Sequence, residues 1–392
     1  MPAYLDHAAT SPLRDEARDA WVEASRIVGN ASSVHGGGQA ARRLLEESRE
    51  RLAAVLGCEP VEVVLTGSGT ESVNLAVKGL WWGRGAGDAI VLPDGEHHAT
   101  MEAVAWLADR EGAVVRSVAL DAVGRVRPEA FARELPGAAL ATALVAANET
   151  GTVNDAAALA SAASAAGVPL HLDAVAALGH VPVRFRAWRG DAAGATGLSA
   201  LSVSAHKVGG PVGVGALVVS RAASPAALVH GGGQQRGLRS GTQDVAGAHA
   251  FAIAAELAEA EREREAIRLR ALAERLLSGV RAAVPGAELL GDPVDRVPGN
   301  VHVLFPDAEG ETLLFLLDRA GVEVSTGSAC QAGVAEPSHV VLALGRTERE
   351  ARSVLRLTLG RTTTEADVAA LLAALPSAHA RAASARSRAD AR

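Results

Sequence analysis

The sequence predicts an α/β fold: a mostly parallel sheet covered by helices, followed by a smaller α+β unit. Three observations carry this. Short apolar or β-branched runs alternate with amphipathic helical stretches through the first part of the chain, as in parallel sheets buried on both faces. The pattern changes near residue 250, where a long charged helix begins. Hydrophobic residues make up 48% of the 392 residues, so material for large cores is ample.

The elements follow in order. "EVVLT" (Glu62 to Thr66) reads as a strand, with a helix through "TESVNLAVKGLWW" behind it. "AIVLP" (Ala89 to Pro93) is the next strand, followed by a helix from about Ala99 to Glu111. "VVRSVAL" and "ALATALVAAN" are further strands, and "AAALASAASAAG" is a helix leading into the strand "PLHLD", which ends at Asp173. "LSVSAH" and "GALVVS" complete the series. A charged helix from about Ala248 to Val284 can pair opposite charges four residues apart on a solvated face. The second unit then reads "NVHVLF", the helix "ETLLFLLDRAG", "VEVST", the helix around "SHVVLALG", and "SVLRLTLG". The end, "HARAASARSRADAR", shows no apolar stripe and is expected to be a disordered tail.

Composition excludes several classes. The net charge of −7 gives no electrostatic reason for nucleic-acid binding. The two cysteines, Cys58 and Cys330, are far apart and make neither a disulfide framework nor a zinc pattern. A reducing, cytoplasmic setting fits this usage. "MPAYLDHAAT" lacks the features of a signal peptide, and no apolar run suits a bilayer, so no membrane role is expected.

Four stretches fall at expected strand ends, where such sheets bind ligands. In "TGSGTES" a strand turns through glycines into a helix, whose first N–H groups and dipole suit a phosphate. The same pattern also serves a plain capped turn, and the third glycine of a dinucleotide fingerprint is missing. Asp173 of "HLDA" ends an apolar strand, where a carboxylate needs a cation, a hydrogen-bond donor or a helix to cap. Lys207 stands between the strand "SVSAH" and Gly209–Gly210. An amine beside buried apolar surface tends toward a lowered pKa and can form a Schiff base, although a solvated strand-end lysine has the same spacing. Cys330 lies among small residues in "STGSACQAG", which favours an accessible thiol over a buried one. Cys58, near the end of a helix, reads as inert. Together a phosphate cradle, a carboxylate and a Schiff-base lysine point to pyridoxal 5'-phosphate, with the carboxylate on the ring nitrogen and the lysine moving the substrate proton.

With these residues in place the chain resembles the cysteine desulfurases, within the class V aminotransferases of the fold-type I pyridoxal phosphate enzymes. The matching stretches run from Tyr4 to about Thr364: "YLDHAATSP", "GNASSVH", "GSGTESVNLAVKG", "EHHA", "NETGTV", "HLDAVAALG", "SVSAHKVGGPVGVGAL", "HGGGQQRGLRSGT", "STGSAC", "EPSHVVLALG" and "LRLTLGRTT". The resemblance implies a seven-stranded, mostly parallel sheet in a large domain of residues 15–250. It implies a small domain of residues 1–14 and 251–376 carrying the catalytic cysteine loop, with 377–392 as the tail.

It also implies roles. Lys207 is the Schiff-base lysine and Asp173 the partner of the ring nitrogen. His97 stacks on the ring and relays protons, serving as the group that deprotonates a thiol. Gly69, Thr70, Ser204 and His206 surround the phosphate. Thr242 reaches it from the other subunit, which implies a homodimer with shared active sites. Asn148 lies near the cofactor hydroxyl and the substrate, and Arg356 clamps the substrate carboxylate. Cys330 takes sulfur from L-cysteine as a persulfide, alanine leaves, and an acceptor protein collects the sulfur for iron–sulfur cluster assembly, tRNA thiolation or another pathway. A selenocysteine lyase, a class V aminotransferase and a non-catalytic sulfur-relay scaffold share parts of the pattern.

Three positions depart from the family's usual residues. Ala176 replaces a Gln that bonds the phenolic oxygen, a loss of about 0.5–1.5 kcal/mol net and a change in cofactor electronics. Ala205 replaces Gly, and His7 replaces Asn.

Overall fold

The computed structural model describes residues 2–328 and 336–390. The chain opens with β1 (Ala3–Tyr4), α1 (Asp15–Ala24) and α2 (Gly36–Leu56). There follow β2 (Val63–Thr66), α3 (Gly69–Trp82), β3 (Ala89–Pro93), α4 (His98–Glu111), β4 (Val114–Val118), α5 (Pro128–Glu134) and β5 (Leu140–Leu144). Next come α6 (Ala156–Ala165), β6 (Pro169–Asp173), α7 (Phe185–Arg189), β7 (Gly197–Ser204) and β8 (Gly215–Val219). The remainder holds α8 (Val245–Ala283), β9 (Glu288–Leu290), β10 (Asn300–Leu304), α9 (Gly310–Asp318), β11 (Val322–Glu323), α10 (His339–Ala343), α11 (Glu348–Ala351), β12 (Val354–Thr358) and α12 (Glu365–Asp390).

The main sheet has seven strands in the order β2-β8-β7-β6-β5-β3-β4. Only β8 runs against the rest, antiparallel to β2 and to β7. Alternation explains why the sheet needs helices on both sides. Val63 and Leu65 of β2 enter one core while Val64 enters another, and Val91 and Ile90 of β3 divide the same way. Both faces are therefore apolar and covered. The carboxyl ends of β2, β3, β5, β6 and β7 share one edge, and the chain leaves that edge through the stretches singled out above.

A second core gathers β10, β12, α9, α12 and the far half of α8. It also takes in Ala3 and Leu5 at the start of the chain, and β1 pairs parallel with β11. Helix α8 spans both cores. Its residues Ala248 to Ala258 pack against the main sheet, and Leu269 to Val280 against the second core. The changeover thus falls inside one continuous helix, between 258 and 269, and not at residue 250.

The expected disordered tail differs from the fold. Residues 377–390 continue α12. Leu371, Leu375, Ala378 and Ala382 make a stripe at helical spacing that is buried in the second core. Half of that stripe is alanine, so no large apolar residue marks it in the sequence. Arg386 adds hydrogen bonds from Nη1 to the Ala308 carbonyl (3.1 Å) and to Ser353 Oγ (2.6 Å). Among the described residues no helix is long and apolar enough to cross a membrane.

Burial lowers six histidines far below their ordinary value of 6.5. His171 and His302 fall to about 3, and His7, His97, His180 and His206 to about 4. Above pH 6.5 neither the folded nor the unfolded chain protonates these rings. Below it the unfolded chain takes up protons that the fold refuses, so stability falls as the pH drops through 6.5 toward about 4. Thermal denaturation across that window should show the loss. His302 is fully buried, and among the described residues both its ring nitrogens lack a hydrogen-bond partner. His302→Leu should therefore lose less stability between pH 8 and pH 5 than the parent; an equal loss in both would refute this account of the ring.

Candidate active site

The site is built on the α3 N-terminus. Ser68 caps the helix by accepting from Glu71 N at 3.0 Å, a bond type worth about 1 kcal/mol. Glu71 in turn accepts from Gly67 N (2.8 Å) and from Arg239 Nε (2.8 Å), which ties the loop carrying Thr242 to this helix end. Gly69 packs tightly against the sheet edge. A Cβ there would lie 2.9 Å from Val175 Cγ2 and 3.2 Å from Ser204 Cβ. Ser204 Oγ is buried and has no hydrogen-bond partner among the described residues. An orphaned hydroxyl beside exposed helix N–H groups fits a phosphate. Gly69, Thr70 and Ser204 are thus brought together.

Asp173 ends β6 at 2% exposure, and its Oδ1 accepts from Val175 N at 2.9 Å. Burial pushes its carboxyl up to about 6, against the opposing pull of that N–H and of Lys207. In the neighbouring strand β7, Ser202 is its register partner. Lys207 closes the short 3-10 turn Ala205–Lys207 beyond β7. Its Nζ donates to the carbonyls of Ala8 and Ala9, the latter at 2.9 Å, so the "LDHAATSP" stretch wraps the amine. A cavity beside it is lined by His7, Asn148, Ala176, His180 and Asn300. The space opened at Ala176 therefore faces Lys207 and Asn148 directly.

His97 caps α4, with Nδ1 accepting from Ala99 N at 3.0 Å. Burial first, then Lys207 and neighbouring histidines, lower it to about 4. A neutral ring that accepts at Nδ1 carries its proton on Nε2, a tautomer assigned from the hydrogen bond. Arg356 on β12 is 5% exposed. Its Nη2 pairs with Asp6 Oδ1 and its Nη1 donates to the Asn148 carbonyl, both at 3.0 Å, while Nε has no partner among the described residues.

His206 meets Thr10 Oγ1 at 3.2 Å, on the side of the N-terminal stretch. Thr242 is exposed, on the loop that Arg239 fixes. Cys330 lies outside the described residues. Burial pushes the Cys58 thiol up to about 12, as an inert cysteine requires.

Sequence reasoning missed Asp6, Glu96, Glu149 and His180. Glu96 accepts from Leu144 N at 2.8 Å, and burial lifts it to about 8, so it is protonated at neutral pH. Asp6, Glu96 and Glu149 sit inside stretches already singled out and His180 directly after one, but nothing in their spacing marks them as buried.

The chain matches the family model described as aminotransferase class-V over residues 3–371. It is 47% identical over 389 residues to the IscS-like cysteine desulfurase of Mycobacterium tuberculosis, covering 97% of each chain. Among solved structures, a NifS-like protein superposes with a TM-score of 0.88 at 30% identity, covering 96% of this chain and 99% of that one. A structure of SspA in complex with cysteine gives 0.75 at 26% identity, covering 91% and 98%.

Gly69→Ala tests the cradle. The added methyl would press on Val175 and Ser204, an overpacking worth about 1–3 kcal/mol. Apparent affinity of the cofactor-free protein for pyridoxal phosphate, followed by fluorescence, should fall at least about tenfold. Unchanged affinity would remove α3 from the phosphate site.

Proposed function

We propose that this chain, which belongs to the class-V aminotransferase family and within it to the cysteine desulfurases, performs its reaction with Lys207, Asp173, His97, Arg356 and Cys330. A cysteine desulfurase converts L-cysteine to L-alanine with pyridoxal phosphate and moves the sulfur onto a reactive cysteine. The observation that carries the assignment of roles is the meeting of Asp173, Lys207 and the Gly69–Ser204 cradle at one edge of one sheet.

Pyridoxal phosphate, when bound, supplies an electron sink for the substrate α-carbon. The α3 N-terminus, Thr70 and Ser204 would hold its phosphate, with His206 and the partner's copy of the Thr242 loop closing around it. Asp173 would hold a proton on the ring nitrogen, since a buried carboxylate is costly unless a positive group faces it. Asn148 would lie by the ring hydroxyl. Lys207 would hold the aldehyde carbon, and its amine is placed to take the substrate α-proton. Arg356 orients the substrate carboxylate, with its unpartnered Nε available beside the groups held by Asp6 and Asn148.

His97 would relay protons between the substrate and the Cys330 thiol. The Cys330 thiolate attacks the substrate sulfur. A sulfur–sulfur bond forms as the carbon–sulfur bond breaks, and the electron pair stays with carbon. Protonation of that carbon releases alanine, so no outside oxidant is needed. The persulfide passes to the thiol of an acceptor protein in a reducing, cytoplasmic setting. A homodimer belongs to this reading. Thr242 is exposed, and Val28 and Val34 stand 92% and 89% exposed on the segment between α1 and α2, apolar surface that a second copy would cover.

Incubation of the cofactor-loaded protein with L-cysteine should yield alanine and one added sulfur on Cys330, read by mass. Lys207→Ala should abolish both products. Cys330→Ala should keep the spectral response to L-cysteine but lose sulfide release, by at least about a hundredfold. Undiminished sulfide from Cys330→Ala would remove that thiol from the reaction.

A further inference from the structure

Glu149 has no role in the steps above, yet it is 2% exposed and sits in the turn after β5. Ser338 Oγ donates to its Oε2 at 2.6 Å. The same hydroxyl accepts from Val341 N at 3.1 Å and so caps α10. From the other side Gly327 lies against the carboxylate. A Cβ there would be 3.3 Å from Oε2, and its φ of +87° favours glycine in any case. Gly327 N donates to Ser325 Oγ at 3.0 Å, and Ser325 exchanges backbone hydrogen bonds with Arg356 at 3.3 and 2.7 Å.

Residues 325–327 and 338 are the two stems of the segment that carries Cys330. Both stems therefore meet one carboxylate. One residue earlier in the same turn, the Asn148 carbonyl holds Arg356 Nη1. The next stem residue, His339, makes a hydrogen bond from Nε2 to the Glu96 carbonyl at 2.9 Å and packs its ring on His98 at 4.8 Å. An apolar side chain would make a cheaper structural staple, because a buried carboxylate must recover its lost hydration. What a carboxylate adds is a short, directional, charge-assisted bond.

We infer that Glu149 is a positioning residue for sulfur transfer, fixing both stems of the Cys330 segment to the turn that holds the substrate-clamping Arg356. The inference rests on the roles assigned to Cys330 and Arg356 above. Its consequence is selective. Substrate binding and the cofactor's response depend on Lys207, Asp173 and Arg356, whereas the approach of the thiol to the substrate sulfur depends on the stems.

The experiment is a single turnover of the cofactor-loaded dimer with L-cysteine, following the cofactor spectrum and the persulfide on Cys330 separately. Glu149→Ala should slow persulfide formation at least about tenfold, since small misplacements of reacting atoms are costly. It should leave the rate of the spectral change and its dependence on L-cysteine concentration within about twofold. Glu149→Gln keeps an acceptor for Ser338 and should recover most of the rate. If Glu149→Ala fails to hold cofactor, Ser338→Ala and Ser338→Thr make the same test, with the hydroxyl of Thr restoring what Ala loses. Persulfide formation at the parent rate, or slowed only in step with the spectral change, overturns the inference while leaving the assigned reaction intact. A parent protein that forms no Cys330 persulfide overturns both.

Discussion

Asp173 lies at 2% exposure and accepts a hydrogen bond from the Val175 N–H, and a carboxylate in that position is expensive unless a positive group faces it. Much of the architecture follows from meeting that need. The strand β7 must run beside β6 so that the turn after it can bring Lys207 within electrostatic reach. The N-terminal stretch must return across the sheet edge to offer carbonyls to the same amine. Burial has lifted the carboxyl only to about 6, so it remains mostly ionised at neutral pH and able to hold a cation. The surrounding histidines are depressed to about 4 and add no competing positive charge. At this edge Asp173 thus faces the Lys207 amine with no charged histidine to compete.

The turn that follows β5 does for the substrate side what the β6–β7 pair does for the cofactor side. It is tied to the loop before β10: Arg296 Nη2 donates to the Thr150 carbonyl at 2.9 Å, and Val297 N to the Gly151 carbonyl at 2.8 Å. Arg356 is held from the far side by Asp6, which belongs to the chain's first segment. Removing one partner from such a nearly buried pair costs about 3–5 kcal/mol, so Asp6 fixes the guanidinium as firmly as any packing contact. The N-terminal segment thereby serves both halves of the site. Its carbonyls hold Lys207, and its one carboxylate holds Arg356.

The strands of the main sheet were legible because each is a short run of apolar residues with a helical stretch after it, and their carboxyl ends pointed to Gly69, Asp173 and Lys207. The α8 helix was legible from its charges. What spacing could not reveal was a partner far away in sequence. Asp6 and Arg356 are 350 positions apart, and Glu149 and Ser338 are 189 apart. Neither pair shows a local pattern. The end of α12 was misread for a different reason. Alanine can form a packing stripe, but its small side chain gives little hydrophobic contrast against an alanine-rich background. The proton position on His97 depends on a cap bond to Ala99 that only the fold displays.

The three departures from the family's usual residues can be judged by what faces each side chain. Where this chain is larger, it places glycine opposite. A Cβ on Gly360 would fall 2.1 Å from His7 Nδ1, so the imidazole occupies space that no other residue type could leave open. A Cβ on Gly210 would come within 2.9 Å of the Ala205 methyl. These two larger side chains are therefore accommodated beside glycines. Ala176 is the reverse case. It is smaller than the usual amide, and the cavity beside it is lined by polar Asn148, His180 and Lys207 together with apolar Ala147, Val297 and Leu359. Such a space can hold ordered water, which replaces a lost side-chain bond at modest entropic cost. The two enlargements are thus accommodated, and only the third exchange alters the chemistry that the site presents.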